Sequence, residues 1–405
     1  MCKSTAVVLT CMLIVGVCVS YAQRPISEES SDFNDIEVAR KQASEEEPGE
    51  SEDVGVTQRP VSEEEFGDFI GLEFAESRAS EEESGGFKEA RKMEQESLNV
   101  RLVGDWPFGP PCAVAWDESR SLIFLACGAG IYVVDVSSPG NPFKVSEFAR
   151  AKEFIRDLFY DGLTQLLYIA DGLKGVEIWN MENPASPKKV RSIQMPGMAL
   201  GVWASGAYAY VADGRHGLQI TDIRPAEPHL VAYCETPGIA QDVTVSGCFA
   251  YVACGDAGLA VINISATSGP RMSGLLDTPG YACDVSLADS CAYIADQHCG
   301  LRVIDISEPE TPVELGWCDT PGSAYGVSVS GSLACVADDS GGLRVIDVSS
   351  SMQPREVGSH VALKRVRSVW TCNSYAYVGD GTSGLRVIDI SLSADPREVG
   401  YLNAP

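Results

Sequence analysis

The run Gly300-Leu-Arg-Val-Ile-Asp305 recurs as Gly342-Leu-Arg-Val-Ile-Asp347 and Gly384-Leu-Arg-Val-Ile-Asp389. Looser copies precede it: Gly130-Ile-Tyr-Val-Val-Asp135, Gly175-Val-Glu-Ile-Trp-Asn180, Gly217-Leu-Gln-Ile-Thr-Asp222 and Gly258-Leu-Ala-Val-Ile-Asn263. The terminal Asp or Asn positions of these seven copies are spaced 45, 42, 41, 42, 42 and 42 residues apart. Each run is β-branched or apolar and follows a glycine, so each reads as a strand leaving a turn.

Around this strand each repeat holds three more. In the sixth copy Ala324–Val329 is the first, Leu333–Ala337 the second, Leu343–Val348 the third and Arg355–Gly358 the fourth, with Ser-Gly, Asp-Asp-Ser-Gly-Gly and Pro turns between them. No sustained helical period occurs. Four strands in about 42 residues is one propeller blade. The expected fold is therefore all-β, a seven-bladed β-propeller of four-stranded blades running from about Pro110 to Leu402. Two segments compete for the fourth-strand slot of the last blade, Val100-Arg-Leu-Val-Gly104 and Arg397-Glu-Val-Gly400. One is expected to fill it and the other to lie outside; the sequence leaves open which.

Three repeat features carry a resemblance: Leu301-Arg-Val-Ile-Asp-Ile-Ser307 with Leu385-Arg-Val-Ile-Asp-Ile-Ser391, Asp319-Thr-Pro-Gly322, and Tyr293-Ile-Ala-Asp296. With these the chain resembles the LVIVD-repeat family over about three quarters of its length. Blades one and two depart most, Trp179-Asn180 standing where Ile-Asp is found elsewhere. The resemblance implies an exported or surface-associated β-propeller and carries no reaction or catalytic residues.

Ahead of the ring the chain changes character twice. Residues 1–22 read as a signal peptide: Lys3, an apolar run from Ala6 to Val19, and small residues before a cleavage point after Ala22. The competing lipoprotein reading uses Cys18, but Val17 precedes it where a small residue is wanted. Residues 23–98 hold 23 acids against 8 bases with apolar residues scattered aperiodically, and are expected to be disordered. Ser27, Ser44, Ser62 and Ser80 each begin a Ser-Glu-Glu run and are the candidate phosphorylation sites; phosphate there would favour Ca²⁺ or mineral. Arg40-Lys41 and Arg91-Lys92 are dibasic and would fit removal of this segment as a propeptide. Residues 99–405 are the propeller.

The whole chain of 405 residues has 57 acids and 30 bases, a net charge of −27, which excludes nucleic acid as a partner. No later stretch is long and apolar enough for a transmembrane helix, so the expected location is secreted or extracellular. A closed ring is expected as a monomer.

Strand alternation puts the loops between second and third strands on the same face as the loops joining blades. The candidate binding residues on that face are Asp171, Asp213, Asp256, Asp296, Asp338 and Asp380 from the first set and Glu235, Asp277 and Asp319 from the second. An Asp before Gly also ends a strand by binding nearby backbone N–H groups, which is the structural alternative. Ca²⁺ is the one candidate ion and no other cofactor is implied; it wants 6–8 oxygens, and no D-x-D-x-D-G loop is present. His216 and His298 fall in equivalent loops of non-adjacent blades. Metal-protease, phosphate-loop and nucleophile-elbow motifs are absent. Eleven cysteines follow the signal, an odd number without a framework pattern, and are read mostly as buried free thiols, Cys283 facing Ile294 across its hairpin. Asn263 begins the only glycosylation sequon, within a regular strand slot.

The leading reading is an exported non-enzymatic scaffold that binds a protein or an extracellular surface. The alternatives are an acidic calcium- or mineral-associated matrix protein and an extracellular hydrolase or lyase using face carboxylates.

Overall fold

The computed structural model describes residues 111–403, apart from 129, 150–153, 225, 362, 364 and 382. The segments 1–22 and 23–98, with Ser27, Ser44, Ser62 and Ser80, lie outside the described residues, as does Val100–Gly104.

The described chain forms seven four-stranded antiparallel sheets, each made of four consecutive strands. In the sixth sheet these are Gly326–Ser330, Leu333–Ala337, Leu343–Asp347 and Arg355–His360, each within two residues of the expected bounds. The second and third strands are sandwiched between neighbouring sheets and buried on both faces, so they read as continuous apolar runs such as Leu-Leu-Tyr-Ile-Ala. The first strands line the axis and the fourth strands form the outer edge.

Two local devices repeat in all seven sheets. The third and fourth strands always pair with a bulge at the same place, between Val345 and Ile346 in the sixth sheet and Val303 and Ile304 in the fifth. A bulge adds twist, as a propeller blade needs. The Asp or Asn ending the third strand caps the following turn: Oδ1 of Asp305, Asp347 and Asp389 accepts the N–H of Ser307, Ser349 and Ser391 at 2.8, 3.0 and 2.8 Å. Asn263 does the same, accepting the N–H and hydroxyl of Ser265 at 3.0 and 2.7 Å, so both polar members of the sequon serve the turn.

Seven apolar clusters fill the seven spaces between neighbouring blades. One joins blade seven to blade one, where Tyr377, Leu385 and Val387 pack on Ile123, Leu125, Tyr132 and Val134. Trp116 stacks on Tyr377 there, ring centroids 5.4 Å apart. Among the described residues the ring therefore closes by face-to-face packing, without exchange of a strand between sheets. The slot contested in the sequence is taken by the C-terminal strand, Arg397–Asn403, which pairs with Gly384–Asp389.

The glycines of the recurring Val-Gly or Leu-Gly in the fourth strands have a packing reason. A Cβ on Gly316, Gly358 or Gly400 would collide with the carbonyl of Ser351, Ser393 or Pro139 in the next blade's turn. Gly400 thus makes toward blade one the approach its sister glycines make elsewhere in the ring.

All eleven cysteines among the described residues are free. Burial pushes the thiols of Cys112, Cys254, Cys283 and Cys335 up to about 12, which suits small core residues better than nucleophiles. One register expectation needs correcting. The hairpin turn falls at Asp289-Ser290, so Val285 pairs with Ile294 and Cys283 precedes the strand; Cys291 pairs with Ala288. The positive φ of Asp289 sets that turn position.

Candidate functional site

Backbone bridges Gly172↔Ala199, Gly214↔Ala240, Gly255↔Ala282, Gln297↔Ala324 and Asp339↔Val366 tie a second-to-third-strand loop to the lead-in of the next blade. Both loop sets therefore share one face, and the nine candidate acids fall on it in two sorts.

Asp171, Asp213, Asp296, Asp338 and Asp380 are buried. In blade five, Asp296 accepts the Thr278 hydroxyl at 2.7 Å and the Gly280 N–H at 2.9 Å. Arg302 lies 3.5 Å from it and continues to Glu314 at 3.2 Å. Blade six repeats the network: Asp338 accepts from Thr320 at 2.6 Å, Gly322 at 2.9 Å and Arg344 at 3.3 Å, and Arg344 reaches Glu356 at 3.2 Å. These carboxylates hold the Thr-Pro-Gly lead-in against the loop beside it. Their bonds run to residues 16 and 18 positions earlier, a longer reach than a local turn cap. Where Met195 stands in the Thr slot, Asp213 keeps only the Gly197 N–H at 2.8 Å, and burial raises its carboxyl to about 6. Burial also raises that of Asp296, against the Thr278 and Gly280 hydrogen bonds. The arginine of the Gly-Leu-Arg run is the partner that sequence reading missed; its spacing from Asp is the same in blades five and six.

Glu235, Asp256, Asp277 and Asp319 are exposed. Beside three of them stand Tyr233, Leu275 and Trp317, at one register position in the fourth strands of blades three, four and five. These three side chains are 60%, 48% and 57% exposed, so each of three successive blades offers an apolar group next to an acid.

The first strands bring together a second group, unseen in the sequence. Asp157, Asp242 and Asp284 occupy one position at the mouth of the axial channel, and each accepts a backbone N–H from another blade's inner strand. Val202 donates to Asp157 at 2.9 Å, Val285 to Asp242 at 3.2 Å and Val327 to Asp284 at 2.7 Å. Their sisters are Ala113, Gly201, Gly326 and Ser368. Burial, then the charge of Asp242, raises Asp157 to about 7. Burial and then Asp284 push Asp242 well up, while Asp284, raised by burial, is pulled back by a hydrogen bond from Asp242. The recurring Asp-Val or Asp-Leu opening a first strand is the one signal that marked them.

The channel encloses about 340 Å³. Arg156, Gln241, Arg367 and Tyr325 line its mouth with the three acids; Phe159, Trp203 and Trp370 lie deeper, across from Thr244, Ser286 and Ser328. Among the described residues no group of three His, Cys, Asp or Glu is placed to hold a metal ion. His298 Nδ1 lies 3.1 Å from the Ser323 hydroxyl. No helix among the described residues is long and apolar enough to cross a membrane.

Comparison with solved structures finds chains of similar fold at low identity. The computationally designed Ika8 protein superposes with a TM-score of 0.55 at 11% identity, covering 73% of this chain and 88% of that one. Saccharomyces cerevisiae Sqt1 gives 0.56 at 12%, covering 74% and 87%. The RRP9 WD40 repeats give 0.58 at 13%, covering 70% and 91%. At such identities the likeness establishes the fold alone. Comparison with curated proteins gives no match. The LVIVD repeat profile matches five consecutive segments, 196–236, 237–278, 279–320, 321–361 and 365–404. These are blades three to seven with their lead-ins and make up just over half the chain, so the protein belongs to the LVIVD-repeat family.

Proposed function

We propose that this protein is an exported binding scaffold whose acidic loop face takes a basic protein segment carrying apolar side chains. A closed propeller is a scaffold suited to recognition, since a rigid ring presents many loops in fixed positions. The observation that carries the reading is the threefold repetition of an exposed apolar group beside an exposed acid: Tyr233 with Glu235, Leu275 with Asp277, and Trp317 with Asp319. Exposed aromatic side chains are the usual anchors at the centre of a protein interface, with polar groups at its rim. The buried Asp296 and Asp338 support it from below, because loops already held in place lose little entropy on binding. The apparent signal at residues 1–22 supports export.

The test is a titration of the full chain with a lysine-rich peptide containing tryptophan, against the same peptide with glutamate in place of lysine. Only the basic peptide is expected to bind, and raised salt is expected to weaken it. The triple variant Glu235→Lys, Asp277→Lys, Asp319→Lys is expected to lose at least about tenfold in affinity. Affinity unchanged by high salt or by the triple variant would overturn the reading.

A further inference from the structure

The axial channel has an asymmetry of charge and polarity that the loop face does not use. Blades four and five supply Asp242 and Asp284, whose carboxyls burial raises. Across the ring, blades two and seven supply Arg156, Arg367 and Ser368. Asp157 lies next to Arg156, and its Oδ2 is committed to the Val202 N–H. Arg367 is stacked 4.3 Å over the Tyr325 ring and lies 3.9 Å from Asp339. Gln241 donates to the Tyr281 hydroxyl at 2.7 Å. Two atoms are left over: Arg156 Nε and Ser368 Oγ are buried and lack a hydrogen-bond partner. Both belong to side chains lining the cavity, and both can donate to an anionic oxygen. Two residues deeper along the strands, about 7 Å, Phe159, Trp203 and Trp370 form an aromatic arc, with Phe159 and Trp203 centroids 4.4 Å apart.

We infer that the channel binds a small zwitterion bearing an apolar side chain, an aromatic α-amino acid being the simplest. The carboxylate meets the unpartnered donors of Arg156 and Ser368. The ammonium meets the Asp242–Asp284 pair, and the side chain descends onto Phe159, Trp203 and Trp370. A cavity of about 340 Å³ has room for such a ligand. The two carboxyls do more than stitch blades in this account. In each, one oxygen accepts a cross-blade backbone N–H; burial disfavours their charged form, an ammonium beside them favours it, and binding is therefore expected to release a proton.

The probes are L-phenylalanine, phenethylamine, 3-phenylpropionate and glycine, titrated into the full chain by saturation-transfer NMR and by calorimetry in buffers of different ionisation heat. L-phenylalanine is expected to bind saturably with proton release, and each of the other three at least about tenfold more weakly. Arg156→Gln is expected to lower phenylalanine affinity while leaving phenethylamine unchanged, with Arg156→Lys restoring part of the loss. Asp284→Asn keeps an acceptor for the Val327 N–H and is expected to weaken both ammonium ligands. Absence of saturable phenylalanine binding into the millimolar range would overturn the inference. So would equal affinity for the singly charged analogues, a result obtained on the unaltered chain and independent of how the variants fold.

Discussion

Blades five and six and blades one and two have the same sheets, bulges and turn caps, yet different residues hold them. In blades five and six the second residue of the third strand is arginine and its fourth-strand partner glutamate, Arg302–Glu314 and Arg344–Glu356, each 3.2 Å apart. At the same two positions blade two has the charges exchanged, Glu177 with Lys189 at 2.9 Å. Blade one has a cation over a ring, Lys144 5.5 Å from the Tyr132 centroid. The buried Asp of the face loop becomes Cys127 in blade one. Aromatic packing supports the divergent pair instead: Phe148 on Trp179 at 4.6 Å and Phe124 on Tyr160 at 4.8 Å. Arg120 also ties Asp117 to Tyr160 and to the Met181 carbonyl, the last two at 2.7 Å. The repeat profile matches from residue 196 onward, leaving out these two blades.

The largest test of that contrast is removal of the buried loop residue on each side of it. Asp338→Ala takes the acceptor from Thr320 and the Gly322 N–H and leaves the buried Arg344 with Glu356 alone; it is expected to cost about 3–5 kcal/mol in urea unfolding. Cys127→Ala, at the equivalent place in blade one, removes a small uncharged group and is expected to cost about 1 kcal/mol. Equal losses would show that the Asp network is ornament on a ring held by its apolar clusters alone.

A second, smaller effect concerns the seam between outer strands. Gly358→Ala forces a methyl against the Ser393 carbonyl and is expected to cost about 1–3 kcal/mol. At the equivalent position of blade one, Ser146 donates to the Pro184 carbonyl. Ser146→Ala, losing only that hydrogen bond, is expected to cost about 1 kcal/mol. Reversal of this order in thermal melts would mean that the two seams are built alike.

The smallest effect crosses the divide, because Asp157 of blade two occupies the channel position of Asp284 in blade five. Its carboxyl titrates at about 7 in the fold against about 4 when unfolded. A raised carboxyl stabilises the fold in its protonated form, so this contribution is full below about pH 4 and fades as pH climbs through about 7. Asp157→Asn keeps the acceptor for Val202 without the charge. It is expected to flatten the melting-temperature profile between pH 4 and 7 and to raise stability at pH 8. A profile unchanged by the substitution would place the ionisation of Asp157 near that of an ordinary surface acid.

The ring was legible because its signal is periodic: Gly-Leu-Arg-Val-Ile-Asp returns about every 42 residues, and strand alternation then puts the loops on one face. The site was only half legible. Asp256 and Asp296 read alike, two positions apart in equivalent loops, yet Asp256 is exposed and Asp296 buried. What separates them is whether a Thr hydroxyl and a Gly N–H, 18 and 16 residues earlier, fold back onto the carboxylate. In blade four Cys254 takes the buried slot, and Thr236 turns to the Gly238 carbonyl at 2.8 Å instead. The channel acids had no reading at all, since Asp stands at that inner-strand position in three blades and Ala, Gly or Ser in the other four.

By itself, then, the sequence determined the blade count, the strand order within each blade and the caps that end the third strands. Each of these follows from contacts within one 42-residue unit or from composition along the chain. Only the tertiary structure decided which terminal strand completes blade seven, which acids are buried supports and which are exposed. It also decided that Asp157, Asp242 and Asp284 meet at one channel mouth. Those depend on closure of the ring, which brings residues about 40 or more positions apart within hydrogen-bond reach and takes carboxylates out of water, where burial outweighs their ordinary preference for charge.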